Sequence, residues 1–241
     1  MQNPWESYLT MSVVHFMAFP ECMSGTGPIV ETLRQLALDD FFGAAEISWI
    51  KNPKERQKVR RIAEESRLKL GYGAQAVLLL EKLSLNDLDP AGREKAVQTM
   101  RNCIDEAKEL GCKRVAFLTG PDPGDAQRER ALDALADSIL TLCRYASDKG
   151  IALTLETFDR DVDKKSLVGP SPMAAEFAER IRAGGGTQMS RGLSLGLREV
   201  YRAFADERVN QVLLLTDGQT YGDEAQCLKL AKEAGEHHIP I

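Results

Sequence analysis

The chain has 241 residues, of which 43% are hydrophobic and 28% charged, with a net charge of −5. This is ordinary globular composition, and it excludes disorder as the main state as well as collagenous or coiled-coil chains. The acidic balance gives no electrostatic reason to expect nucleic acid or an anionic membrane as partner.

No apolar run reaches the roughly 18 residues that a membrane helix needs. The first ten residues carry Glu6 but no Lys or Arg, unlike a secretory signal. Cys22, Cys103, Cys112, Cys143 and Cys227 are odd in number and lie far apart, without a CxxC pair. That spacing suits neither a disulfide framework nor a zinc knuckle, and points to reduced thiols in a cytoplasmic protein.

In chain order, apolar runs alternate with amphipathic helices. Strands are predicted at Ser12–Phe19, Ala44–Ile50, Tyr72–Leu79, Arg114–Thr119 and Ile151–Thr157. They alternate little, as parallel strands covered on both faces do. Asp89-Pro90 opens a helix whose stripe is Val97, Met100, Ile104 and Ala107, closed by Gly111. A second helix carries Leu132, Leu135, Ile139, Leu142 and Ala146 and is closed by Gly150. Five βα units in a row define an α/β chain with a parallel sheet. Their intervals suit a barrel, at roughly 31 residues per unit, or an open doubly wound sheet.

Beyond the fifth unit the rhythm breaks. Helices are predicted over Pro172–Ala183 and Met189–Ala205, separated by Gly184-Gly185-Gly186, before a strand at Asn210–Thr216. A last helix, Asp223–Glu236, turns Ala225, Leu228, Ala231 and Ala234 inward and leads into Ile239-Pro240-Ile241, which reads as the start of a further strand.

The segment Leu153–Pro170, LTLETFDRDVDKKSLVGP, carries the chemistry of the first part. Glu156 ends the fifth strand, where a barrel builds its active site. A carboxylate there can ligate Mg²⁺ or Mn²⁺ or remove a proton beside a sugar carbonyl. It can equally cap a helix or pair with Lys164 or Lys165. Glu46, inside an apolar strand, is either a substrate contact or the partner of a nearby cation. His15 is a lone histidine, more often packed or solvent-facing than a ligand.

The phrases LETFD and DKKSLVGP, with AAEISWI, GYGAQAVLL and RVAFLTGPDPG, resemble the sugar phosphate isomerase/epimerase family, the xylose isomerase-like TIM barrels. The resemblance spans about residues 12–182. It implies a divalent-metal site at the barrel mouth, with Mn²⁺ or Mg²⁺, and isomerisation or epimerisation of a small carbohydrate through an enediolate. By match, Glu156 is the fifth-strand metal ligand and acid/base carboxylate, and Lys164 a substrate contact. No segments corresponding to strands six to eight follow, so the resemblance implies an impaired catalytic set and a weakly held metal.

GGGTQMSRGL and LLLTDGQTYGDE resemble the threonine loop and aspartate strand of the von Willebrand factor type A fold, over about residues 184–241. Read from the residues alone, Thr187 suits a helix N-cap. The resemblance makes Thr187 and Asp217 metal ligands, with a partner protein's carboxylate completing the shell. No Asp-x-Ser-x-Ser occurs in the chain.

The expected organisation is therefore chimeric: an incomplete (β/α) barrel over residues 1–182, then an incomplete Rossmann-like segment over 183–241. Three functions follow: a metal-dependent isomerase or epimerase, a metal-assisted protein-binding module, or a chimera that does neither. The enzyme requires a second carboxylate or histidine beside Glu156.

Overall fold

A computed structural model describes residues 7–184, 189–205, 207, 209–212 and 224–241. Two compact units divide the chain, Met1–Arg180 and Ile181–Ile241.

In the first unit five strands form one parallel sheet in chain order: β1 (Ser12–Val14), β2 (Ala44–Ile47), β3 (Lys69–Gly73), β4 (Arg114–Leu118) and β5 (Ala152–Glu156). The connections are helical: α1 (His15–Ala18) and α2 (Ile29–Ala37), α3 (Pro53–Ser66), α4 (Gln75–Leu80) and α5 (Pro90–Glu109), and α6 (Asp125–Ser147). This is the βα repeat of a TIM-barrel-like fold, in which every parallel strand needs a helical crossover to return to the same edge. Among the described residues β1 and β5 each have one sheet neighbour.

The helix starts follow from local chemistry. The Asp89 carboxylate accepts the amides of Ala91 and Gly92 at 3.3 and 3.2 Å, and Pro90 occupies the first helical position. Asn52 does the same for α3, accepting the Lys54 amide at 3.0 Å ahead of the proline that opens it. Each cap satisfies amides that the helix cannot pair internally.

Register decides which side chains meet. Val14 pairs with Glu46, Glu46 with Gly71, Gly73 with Ala116 and Leu118 with Glu156. Paired residues share a face of the sheet, and residues two apart share it again. One face therefore carries Val14, Glu46, Gly71, Gly73 and Glu156. The other carries Ala45, Ile47, Tyr72, Val115 and Phe117, all buried. The helices cover it with Leu33, Val59, Met100, Ile104, Leu135 and Leu142, each fully buried. Each such side chain contributes about 1.5–3 kcal/mol of transfer free energy.

Two predicted strands need correction. The first ends at Val14, and His15–Ala18 turns into α1; the third runs over Lys69–Gly73, and Gln75–Leu80 is α4. The apolar runs SVVHFMAF and YGAQAVLL each mix a strand with a short helix, because a run without periodicity does not distinguish the two.

In the second unit α8 (Met189–Arg202) and α9 (Glu224–Glu236) pack around Leu193, Leu197, Val212, Ala234 and Ile239. The division between the units falls within α7 (Ser171–Gly184). A side-chain carbon on Gly196 would lie 3.1 Å from Val212 Cγ1, so a glycine lets Val212 approach α8. Of the predicted strand Asn210–Thr216, residues 210–212 are irregular, with the Val212 amide donating to Pro240 O at 3.0 Å. Residues 213–216 lie outside the described residues, as do Thr187 and Asp217. Leu228, expected to face inward, is exposed; Ala234 and Leu230 make the packed face of α9 instead.

Candidate functional site

At the carboxyl ends of the strands lies a cavity of about 420 Å³. Its floor comes from the sheet: Val14 of β1, Glu46 of β2 and Glu156 of β5. Its walls come from the short helices that correct the strand prediction. Phe16 and Met17 of α1, and Gln75, Ala76, Leu79 and Leu80 of α4, line it beside Met23, Phe158 and Lys164. The extra apolar residues of the two mixed runs thus enclose a site instead of extending the sheet.

The glycines of β3 admit the Glu46 side chain. A carbon built on Gly71 would lie 3.9 Å from Glu46 Cγ, and one on Gly73 only 2.6 Å from Glu46 Oε1. The carboxylate therefore reaches from beside residue 71 to beside residue 73, over a strand face without side chains. The same position on Gly73 is 2.8 Å from Gln75 Oε1. Gln75 is 7% exposed. Its Nε2 donates to Glu156 Oε2 at 2.7 Å, while its Oε1 has no hydrogen-bond partner.

No cation pairs with Glu46 or Glu156 among the described residues. Burial, and then the negative charge of Glu156, push the Glu46 carboxyl above its ordinary range.

Lys164 reaches the cavity from the loop after β5. Its Nζ also lies 2.8 Å from Asp163 Oδ2. The loop is built on Asp159, whose carboxylate accepts the amides of Val162, Asp163 and Lys164 at 2.8, 2.7 and 3.0 Å. The Lys164 amide first, and the other two after it, hold the Asp159 carboxyl down at about 2. Farther along, Leu167 N donates to Gly120 O at 2.9 Å and Ser166 bridges to Pro121, which fastens the loop across the end of β4.

Of the residues singled out in the sequence, Glu156, Lys164 and Glu46 thus line one cavity. Glu46 is unpaired with any described cation, which removes the second of its two readings. His15 is buried, its ring nitrogen 2.8 Å from Thr32 Oγ1, and is a packed residue. Gln75 was not legible as a site residue: inside a predicted strand, its one signal was being the sole polar side chain of an apolar run.

The described residues do not fit a resident divalent metal. No three His, Cys, Asp or Glu side chains gather at one point among them. The cavity offers two carboxylates, and an amide N–H, repelled by a cation, occupies Glu156 Oε2. Oxygen cages for Mg²⁺ or Ca²⁺ need more donors than this.

A parallel βα sheet with a cavity at the carboxyl ends of its strands is the arrangement of a TIM-barrel-like fold. The family described as "Xylose isomerase-like TIM barrel" matches residues 39–183, and the chain belongs to it. Among solved structures, a D-tagatose 3-epimerase-like protein is 16% identical with a TM-score of 0.57, over 95% of this chain and 88% of that one. The D-allulose 3-epimerase of Methylomonas sp. is 20% identical with a TM-score of 0.54, over 72% and 59%. The IolI protein, solved with a zinc atom, is 16% identical with a TM-score of 0.53, over 71% and 59%. At these identities the likeness is one of fold. An uncharacterized protein of Synechocystis sp. is 38% identical over 68 residues, 28% of this chain and 16% of that protein. The chain thus spans little more than half of the Methylomonas enzyme and a sixth of the cyanobacterial protein.

Proposed function

We propose that the barrel unit is a sugar isomerase or epimerase acting through an enediolate. The observation that carries this is Glu156, ending β5 within a walled cavity that also holds Lys164 and a second carboxylate, Glu46. Glu156 takes the proton from the carbon next to a carbonyl. The C–H electron pair forms the carbon–carbon double bond of the enediolate, and the carbonyl oxygen gains the negative charge. The Lys164 ammonium faces that charge. Returning a proton to the same carbon on the opposite face epimerises; returning it to the neighbouring carbon, while the hydroxyl proton passes from one enediolate oxygen to the other, isomerises. Gln75, donating to Oε2, fixes the carboxylate and leaves Oε1 for the substrate. The metal dependence that the resemblance implies receives no step, because the donor set is short.

The test is deuterium uptake by D-allulose in D₂O, followed by proton NMR, with and without Mn²⁺. Enzyme-dependent exchange that falls by about 10²-fold or more in Glu156→Gln is expected. Exchange at the rate of buffer alone, in both arms, would refute the reading for this sugar. The scattered cysteines, all five of them free, are the basis for expecting a cytoplasmic location; no described helix is long and apolar enough to cross a membrane.

A second reading takes residues 183–241 as a metal-assisted, von Willebrand factor type A-like binding module centred on Thr187 and Asp217. What favours it is that Ile181–Ile241 forms a compact unit with a core of its own. It predicts Mg²⁺-dependent capture of a protein carboxylate that Asp217→Ala abolishes. The chimeric descent of the chain follows from the same reading.

A further inference from the structure

At the amino-terminal ends of β3 and β4, away from the mouth, lies a second cavity, of about 460 Å³. Arg60, Arg67, Lys69 and Lys113 line it against one carboxylate, Glu64. In a chain of net charge −5 this is a local reversal of sign. Glu64 is spent on Arg60, whose Nε lies 2.8 Å from its Oε1. Among the described residues no carboxylate pairs with Arg67, Lys69 or Lys113, and the Lys69 ammonium meets the neutral Thr10 hydroxyl at 3.4 Å. Cations gather at helix carboxyl ends to answer the last carbonyls, and α3 and α5 both end here. In α5 that need is already met. The oxygens of Glu106, Ala107 and Lys108 accept the amides of Leu110, Cys112 and Gly111, and that of Glu109 accepts Arg60 Nη1 at 3.2 Å. Arg67 is also held at a conformational cost. Its φ of 59° is left-handed, where the turns after α5 and α6 place Gly111 and Gly150. A glycine would serve that turn better, but only the arginine brings a charged side chain to the cavity.

We propose that this cavity binds a small phosphorylated molecule, its phosphate among Arg67, Lys69 and Lys113 and its apolar body against Leu68, Leu70 and Leu110. The chemistry selects phosphate. The guanidinium fork of Arg67 matches two phosphate oxygens, and the two ammonium groups supply point charges for a dianion. A carboxylate brings a single charge to three unpaired cations. The lining leucines, of which Leu68 and Leu110 are buried, favour a ligand with an apolar part over a bare hydrated ion. The volume is that of a small-molecule site. The inference does not rest on the proposed enzyme, whose cavity opens at the other ends of the strands.

The experiment is isothermal titration calorimetry of the full chain with phenyl phosphate, with phenol as the uncharged analogue and inorganic phosphate as the anion without an apolar body. Phenyl phosphate should bind at least about tenfold more tightly than phenol, the ratio expected of hydrogen bonds to a charged group. Inorganic phosphate should bind more weakly than phenyl phosphate. Arg67→Gly and Lys113→Gln should each lose about tenfold in affinity for phenyl phosphate, while Lys54→Gln, at the opposite end of α3, should lose none. Arg67→Gly should also raise the thermal midpoint, because glycine takes the left-handed turn freely, which separates its loss of binding from a loss of fold. Near-UV circular dichroism establishes that each variant is folded; if Arg67→Gly is not, Lys113→Gln carries the test. Equal affinity for phenol and phenyl phosphate, inorganic phosphate binding as tightly as phenyl phosphate, or the same affinity in Lys113→Gln as in Lys54→Gln would overturn the proposal. Phenyl phosphate binding without deuterium exchange into D-allulose refutes only the enzymatic reading, and exchange without phenyl phosphate binding only this one.

Discussion

At the scale of single residues, burial decides what each polar side chain does. His15 and Glu46 are both polar groups in apolar runs, and they end differently. His15 finds Thr32, whose hydroxyl lies against both its ring and the Cys22 thiol. Burial, partly offset by Glu21, pushes its pKa below the ordinary 6.5. A histidine held neutral adds stability that is complete above the unfolded pKa and is lost as pH falls through the folded one. The urea midpoint of the protein should therefore drop between pH 7.5 and pH 5. His15→Gln should lose part of that drop, and an unchanged pH dependence in the variant would show that the ring is not held neutral. Glu46 finds no such partner, which is why it marks a site and His15 does not.

Among elements, the loop after β5 shows how a functional group is delivered from irregular chain. Three consecutive amides converge on Asp159, and that local turn, rather than packing, sets where Lys164 begins. Because the Asp159 carboxyl is held at about 2, below its unfolded value of about 3.9, the turn is fully supported above the unfolded value. Its support is lost as pH falls toward 2. Amide exchange at residues 162–164 should quicken, relative to the intrinsic rate, over that acid interval. Asp159→Ala should show the quickened exchange already at neutral pH, and should weaken the Lys164 contribution without unfolding the sheet. Protection in the variant equal to that of the wild type would mean that the loop's bonds to Gly120 and Thr119 hold it alone.

For the whole molecule, the consequence of two compact units is two cores that can be loosened one at a time. Leu135 is fully buried in the first and Leu197 almost so in the second. Truncating either to alanine removes about 2–5 kcal/mol from the unit that holds it. Hydrogen-exchange mass spectrometry should register Leu135→Ala in peptides of residues 7–180 and Leu197→Ala in peptides of 189–241. Loss of protection throughout the chain from either substitution would show a single cooperative unit instead.

Much of the barrel unit was legible in the residues, because strand and helix boundaries there are written locally. The Asp89-Pro90 and Asn52-Pro53 caps, the closing Gly111 and Gly150, and the apolar stripes need no distant partner to be read. What misled was apolar content without a period: SVVHFMAF and YGAQAVLL conceal α1 and α4, whose side chains wall a cavity instead of entering the sheet. Glu156 and Lys164 could be singled out by their place after the fifth strand. That Glu46 shares their cavity, and that Gln75 holds Glu156 there, depends on tertiary structure, where residues far apart in sequence come to face one another. The sequence by itself determined the order of βα units and the residue types available at their ends, since both are local. Only the tertiary structure decided which carboxylates share one cavity, because that depends on the glycine face of β3 letting one side chain lie across it.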